Sequence, residues 1–283
     1  MNLDLLVRRA EIVRGMRAYF DAQGFLEVET PVRLAAPAPE CHIDCPPVAT
    51  GGFLRASPEL QMKKLLAVGL DRIYQIGPCF RDGERGARHN PEFTMVEWYR
   101  RDADYRAIAD DLAGLLGALG AAPAGATRAA FRTLAVRDAY RARAGWDPWA
   151  DWDADRFDVD MATVIEPYLR ELGGGIFLTD YPVQAASLAR LRGDVAERWE
   201  FYWDGVELAN CFSELCDAGE QRRRFAAARA ERRTLGEADY PLDEAFFGAL
   251  PAIGRAAGVA LGVDRLVMAL TGARDIASVR APE

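Results

Sequence analysis

Histidine is nearly absent from this chain: His42 and His89 are the only two in 283 residues. A serine–histidine–aspartate hydrolase needs a placed imidazole, so that class has little to be built from. Cysteine is also sparse. The five cysteines form no paired CxxC arrangement, and Cys41 and Cys45, which flank His42, lack the further ligands of a zinc site. Free thiols are expected rather than a disulfide framework. No uninterrupted apolar run reaches the roughly 18 residues of a membrane span. Asp4, Arg8, Arg9 and Glu11 interrupt any apolar start that would read as a signal peptide. The expectation is a cytoplasmic protein with no membrane partner.

Positive charge is not in excess either. The formal net charge of -8 argues against a broad grip on nucleic acid. One local exception is Arg222, Arg223, Arg224, Arg229, Arg232 and Arg233, on a stretch that reads as helix. Its plain reading is a solvated face, and it is also the candidate surface for docking a protein. Internal repeats and inter-domain linkers are missing, so residues 1–283 read as a single domain. What is present, 50% hydrophobic and 28% charged residues, is the composition of an ordinary globular protein.

Apolar periodicity predicts a helix over 3–23, with Leu5, Ile12, Met16, Tyr19 and Phe20 at helical spacing and Gly24 as its stop. The segment 25–31 alternates like a strand. Ser57 as N-cap and Gly69 as terminator bracket a helix over 58–68. Strands are predicted over 72–81 and 92–99, joined by a long arginine-rich loop, and long connections tend to be functional. Helices are expected near 104–119, 133–144 and 160–172, with a loop over 117–126 and a strand at 175–179. A hairpin at 200–215, the basic helix, and a strand entering a helix at 258–270 complete the chain.

Three places concentrate chemistry. In the strand 93–99, Phe93, Met95, Glu97 and Tyr99 share one face, a poor core but a cradle for an amine. The preceding loop offers Arg81, Arg85, Arg88 and His89, and guanidinium forks suit phosphate oxygens. Phe93 beside them can stack on a base, which points to a nucleoside triphosphate. In the 200–215 hairpin, Asp204-Gly205 is a strong turn signal. It sets Tyr202 opposite Glu207 and puts Glu200 on the same face as Glu207. Diagonal neighbours of this kind lie roughly 7–8 Å apart, close enough to share Mg²⁺. Asn210, Phe212 and Glu214 alternate onto one face, and Glu207 is out of phase with them, so a bulge is expected between. Finally, Asp264 is placed to cap the last helix, with Arg265 in its first turn, where anions are favoured.

Together these segments resemble the class II aminoacyl-tRNA synthetases, and within them the lysyl-tRNA synthetases. The first helix with GFLEVETP is similar to motif 1, FRDGERGARHNPEFTMVEWY to motif 2, and GVALGVDRLVM to motif 3. ELANCFSEL resembles the lysine-pocket strand, and TDYP near 179–182 fits as well. The resemblance spans about residues 5–275 and implies an α+β fold, an antiparallel β-sheet flanked by helices. It implies ATP and Mg²⁺ as cofactors. Arg81 would hold the α-phosphate, and Arg265 and His89 the outer phosphates. Phe93 would stack on adenine, with Glu84 and Asn90 also at the nucleotide. Glu200 and Glu207 would be the metal ligands. Glu59 would receive the backbone-side amine, and Glu97, Tyr99 and Glu214 the terminal ammonium. Asn210 would lie near the carboxylate, with Ser57, Phe212 and Ala260 lining the same pocket.

With motif 1 beginning almost at Met1, the expectation is a catalytic core without the anticodon-reading OB-fold of a lysyl-tRNA synthetase. A stand-alone core of this kind resembles the bacterial PoxA/GenX/EpmA family, which joins (R)-β-lysine to a lysine side chain of translation elongation factor P. The resemblance therefore implies elongation factor P as partner in place of tRNA, lysine or β-lysine as the small molecule, and a homodimer. Ala260 stands where lysyl-tRNA synthetases carry glycine, and its methyl would reshape the pocket floor towards a β-amino acid. Gly83 stands where a glutamate usually contacts adenine; Glu84, one residue later, either takes over that contact or leaves the base less selectively held. The alternatives are a minimal tRNA-charging enzyme and a non-catalytic amino-acid-binding regulator. The presence of Arg81, Glu200, Glu207 and Arg265 speaks against the second.

Overall fold

The computed structural model describes residues 2–41 and 43–281, and its fold is α+β with mostly antiparallel pairing. His42, weighed above with Cys41 and Cys45, lies outside the described residues. The chain divides into two compact units. One comprises the residues up to Asp102 with Cys216–Ala256 and the residues from Ala260 onward; the other is Ala103–Leu215 with Ala257–Val259.

In the first unit the helix Leu3–Ala22 starts on Asn2, whose side chain accepts the backbone N–H groups of Asp4 and Leu5. Its buried stripe is Ile12, Met16 and Phe20. The Phe20 ring stacks on Tyr74 at 4.5 Å between centroids and meets Trp98 at 5.2 Å, which fastens the helix to the strands Arg72–Phe80 and Glu92–Arg101. Truncating Phe20 to alanine in such a site costs about 3–5 kcal/mol. Those two strands pair antiparallel, with Cys79 opposite Phe93 and Gln75 opposite Glu97. The predicted strand at 25–31 shrinks to Leu26–Glu27, because only these residues find parallel partners, Ile73 and Tyr74.

The expected cap at Ser57 moves by one residue. Pro58 holds the cap position of the helix Glu59–Ala67, while Ser57 Oγ still accepts the Glu59 N–H at 3.0 Å. The expected cap at Asp264 is overturned. Gly262 caps the helix Val263–Thr271 without a side-chain bond. The buried Asp264 carboxylate instead accepts the Thr94 N–H at 2.9 Å and pairs with Arg280 at 3.0 Å and with Arg9. A helix absent from the sequence reading, Glu244–Ile253, buries Phe246, Phe247, Leu250 and Ile253 behind an Asp243 cap; Pro251 within it hid the pattern.

The arginine run lies on the helix Ala218–Leu235, and it is no bare basic patch. Arg232 is fully buried, donating to the carbonyls of Glu40, Ile43 and Ala238 and to the Asp44 carboxylate. Arg222 pairs with Glu244, Arg223 and Arg224 with Glu220, and Arg229 and Arg233 with Asp239. All five cysteines are free thiols, and Cys41 Sγ donates to the Glu231 carboxylate at 3.2 Å.

In the second unit Gly175–Pro182 and Val195–Trp203 pair antiparallel, as do Val195–Trp203 and Val206–Ser213. The core there is aromatic, with Phe177 at 5.0 Å from Trp199 and 4.8 Å from Phe201. The turn at Asp204 and Gly205 has φ of 48° and 72°, the left-handed pair that a two-residue hairpin demands. A Cβ on Gly205 would sit 2.6 Å from Arg170 Cβ, so the position admits only glycine. Tyr202 faces Glu207, and the register slips between Glu207 and Ala209, where the bulge was expected. The predicted helix over 133–144 is corrected. Arg132–Ala135 is a strand, held by parallel pairing with Ile176–Thr179, and helix begins only at Val136. Pairing with a neighbouring strand has overridden local preference. The helix expected over 160–172 begins earlier, at Ala154, where the Asp153 side chain caps it by accepting the Arg156 N–H.

Candidate active site

Within the first unit the loop between the strands Arg72–Phe80 and Glu92–Arg101 gathers cations. The Arg81 guanidinium lies over the Phe93 ring at 5.2 Å, and Glu84 is 3.5 Å from it. Arg81 Nε is buried without a hydrogen-bond partner among the described residues. Arg265 reaches back to the same loop, donating to the Arg88 carbonyl at 3.2 Å and meeting His89 Nε2 at 2.6 Å. A guanidinium only donates, so Nε2 must be the unprotonated, accepting nitrogen. Burial, followed by the Arg265 charge, lowers the His89 pKa and favours that neutral form. Such a cluster of guanidinium groups is suited to a polyanion. The Asn90 amide donates to the Glu92 carbonyl at 2.6 Å.

The same unit assembles Ser57, Glu59, Glu97 and Tyr99. Glu97 is 1% exposed; Ser57 Oγ donates to Oε1 at 2.6 Å and Tyr99 OH to Oε2 at 2.8 Å. Burial, then the neighbouring Glu59 charge, pushes its pKa up to about 8, against the opposing pull of both hydroxyls and of Lys63. Lys63, buried and one helical turn beyond Glu59, forms an ion pair with it. Sequence reasoning missed Lys63, although the i,i+4 spacing in ELQMK signals the pair. Lys63 offsets Glu59, burial keeps the Glu97 carboxyl largely protonated, and an incoming cation would favour its ionised form. Ala260 lies partly exposed on the strand Ala256–Gly262.

The second unit carries the remaining candidates on one face of its hairpin. Glu200 stands opposite Asn210, and Arg198 opposite Phe212. Glu200 is buried and triply bonded: Arg198 Nη2 donates to Oε1 at 2.6 Å, and the hydroxyls of Tyr181 and Tyr202 donate to Oε2 at 2.6 and 2.7 Å. Arg198, Tyr181 and Tyr202 were not foreseen, although the alternation 198, 200, 202 puts three of these four side chains on one face. Burial works against the Arg198 charge, but Glu200 and the surrounding acids and phenols still raise its pKa. Glu207 is half-buried beside the bulge, and Glu214 is 3% exposed just past the strand's end. A carboxylate has about four lone-pair positions, so Glu200 keeps about one for a metal. Two hard carboxylate oxygens of this kind fit Mg²⁺, which takes one or two carboxylates beside phosphates.

A family model described as tRNA synthetases class II (D, K and N) matches residues 2–281. The elongation factor P--(R)-beta-lysine ligase of Proteus mirabilis is 38% identical, over 98% of this chain and 94% of its own length. The ligase of the same name from Vibrio cholerae is 36% identical, over 99% and 95%. That of Hamiltonella defensa is 33% identical, over 98% and 94%.

Proposed function

This chain belongs to the class II tRNA synthetases of the D, K and N type, and we propose that it is an ATP-dependent, AMP-forming ligase joining (R)-β-lysine or lysine to translation elongation factor P. The observation that carries the chemistry is Glu97: a carboxylate buried to 1% exposure and held by hydroxyls beside a second acid is a receptor for an ammonium. The acceptor follows from the relatives, which are elongation factor P--(R)-beta-lysine ligases over nearly their whole length.

In the first step the amino acid's carboxylate attacks the α-phosphorus of ATP. An O–P bond forms, the bond to pyrophosphate breaks, and an aminoacyl-adenylate results. A carboxylate is already a nucleophile, so no general base is required, and positioning and electrostatics supply the catalysis. Arg81 holds the α-phosphate, His89 and Arg265 the outer phosphates, and Phe93 stacks on adenine with Glu84 nearby. Glu97 and Tyr99 receive the terminal ammonium. Glu59 receives the other amine, and Asn210 the carboxylate. Glu200 and Glu207 would hold Mg²⁺, which neutralises phosphate charge when bound. In the second step a lysine ε-amine of elongation factor P attacks the activated carbonyl; the amide forms, AMP leaves, and the amine gives up its proton.

The family match through residues 2–281 supports one catalytic domain. The motif 1 character of the helix Leu3–Ala22 supports a homodimer. No helix is long and apolar enough to cross a membrane among the described residues, in keeping with a cytoplasmic enzyme. The test offers labelled α-lysine and (R)-β-lysine in parallel to elongation factor P and to bulk tRNA, with ATP. Label on the protein is the expected result. Label on tRNA alone, or no label and no pyrophosphate exchange, would overturn the proposal.

A further inference from the structure

Arg198 is bound on every side. Nη2 donates to Glu200 Oε1 at 2.6 Å, Nε to Asn210 Oδ1 at 3.1 Å, and Nη1 to the Ala185 carbonyl at 2.8 Å. The Tyr181 ring lies 4.3 Å from the guanidinium carbon and the Phe212 ring 5.7 Å. The strand register explains the grouping: Arg198 and Glu200 are two apart on one strand, and Phe212 and Asn210 face them on the next. Rigid planarity and a fork of donors let one side chain do this; lysine, with a single point of charge, has no equivalent geometry.

The bond to Asn210 has a chemical consequence. An arginine has donors only, so the Asn210 atom it meets is the carbonyl oxygen, and the amide's NH₂ group is the end left to face a ligand. A free asparagine turns either end outward. One whose oxygen is tied presents a donor, the end that a carboxylate needs and that a second amine does not.

We infer that Arg198 is a positioning residue that fixes the flip of Asn210, so that the site selects an amine carrying a carboxylate over the same amine without one. This rests on the reading of Asn210 as the contact to the substrate carboxylate, and it adds the device that sets the polarity of that contact. Glu200 anchors the guanidinium, so the acid proposed for the metal and the amide proposed for the carboxylate are placed by one shared cation.

The test is equilibrium binding without ATP or metal, comparing lysine with cadaverine, which is lysine lacking its carboxylate. Arg198→Lys keeps a charge beside Glu200 while losing the bond to Asn210. It is expected to weaken lysine by about tenfold or more and to change cadaverine by less than about twofold. Asn210→Ala should do the same, and the double variant should lose no more than Asn210→Ala alone, because the arginine acts through the amide. Equal weakening of both ligands in Arg198→Lys, additive losses in the double variant, or collapse of the fold in Arg198→Lys would overturn the inference and leave Arg198 a purely structural cation. Failure of the proposed function has a different signature: the unaltered protein would then bind neither lysine, (R)-β-lysine nor cadaverine.

Discussion

Glu97 and Glu200 are both buried strand carboxylates, one in each compact unit, and they are solved in opposite ways. Glu97 is bonded by two neutral hydroxyls and lies beside another acid, Glu59, so burial raises its pKa to about 8. Glu200 is bonded by a guanidinium and two phenols. A buried charge costs several kcal/mol unless matched. At Glu200 the protein supplies the matching cation from its own chain. At Glu97 the nearby ammonium, Lys63, is shared with Glu59, and burial keeps the carboxyl largely protonated. The difference separates scaffold from receptor: the acid bonded by a guanidinium holds its neighbours in place and keeps about one position for a metal, and the acid bonded by hydroxyls alone is completed by the substrate ammonium.

The comparison is tested most severely by neutralising each acid in turn. Glu200→Gln strands the Arg198 charge, and the loss of stability should be about 3 kcal/mol, a fall of roughly 6–10 °C in a thermal scan. Glu97→Gln replaces a carboxyl that burial keeps largely protonated with a neutral amide, so the melting temperature should hold or rise. Its affinity for lysine should instead drop by about a hundredfold. If Glu97→Gln destabilises the protein as much as Glu200→Gln does, the division between receptor and scaffold fails.

Proton linkage sharpens the same contrast. The folded-state pKa of Glu97 is raised, so its contribution to stability is fully present below the ordinary carboxylate range and is lost as pH rises through about 8. An ammonium ligand needs the ionised carboxylate. Its affinity should therefore grow with pH across that window, by up to about tenfold per unit between roughly 6 and 8, while the ligand amine stays charged. The groups that face Glu97 are Glu59, Lys63, Ser57 and Tyr99. Calorimetric binding of lysine from pH 6 to 9 reads the slope, and the slope should vanish in Glu97→Gln. A flat profile in the unaltered protein would place the receiving acid elsewhere.

Much of this was legible before any coordinates. The Asp204-Gly205 turn, the Tyr202–Glu207 register and the bulge after Glu207 all follow from strand alternation and turn chemistry, which are local rules. The face shared by Glu97 and Tyr99 follows from the same alternation. Several of the misses share a physical cause: they depend on partners distant in sequence. Arg132–Ala135 becomes a strand only because Ile176–Thr179 lies beside it. Asp264 gives up its cap because Thr94 N–H, Arg9 and Arg280 compete for the carboxylate. Arg232 reads as surface charge until the carbonyls of Glu40 and Ile43 close over it. Arg198 escaped for the same reason, since Ala185 and Tyr181 reach it from outside its own hairpin.

The smallest predicted effects come from single hydroxyls, and they discriminate well because the two acids should answer in different measurements. Tyr202→Phe removes one of three donors from Glu200, a loss of about 1 kcal/mol seen as a lower melting temperature. Lysine affinity should be nearly unchanged, since Arg198 still fixes the carboxylate. Tyr99→Phe removes one of two donors from Glu97. A hydrogen bond to the ionised form favours that form, so its loss raises the pKa further. The affinity profile should move to higher pH, with a few-fold weaker binding at neutrality and little change in melting. The opposite pattern, Tyr99→Phe lowering stability and Tyr202→Phe shifting the pH profile, would mean that the guanidinium-bound acid is the receptor and the hydroxyl-bound one the scaffold.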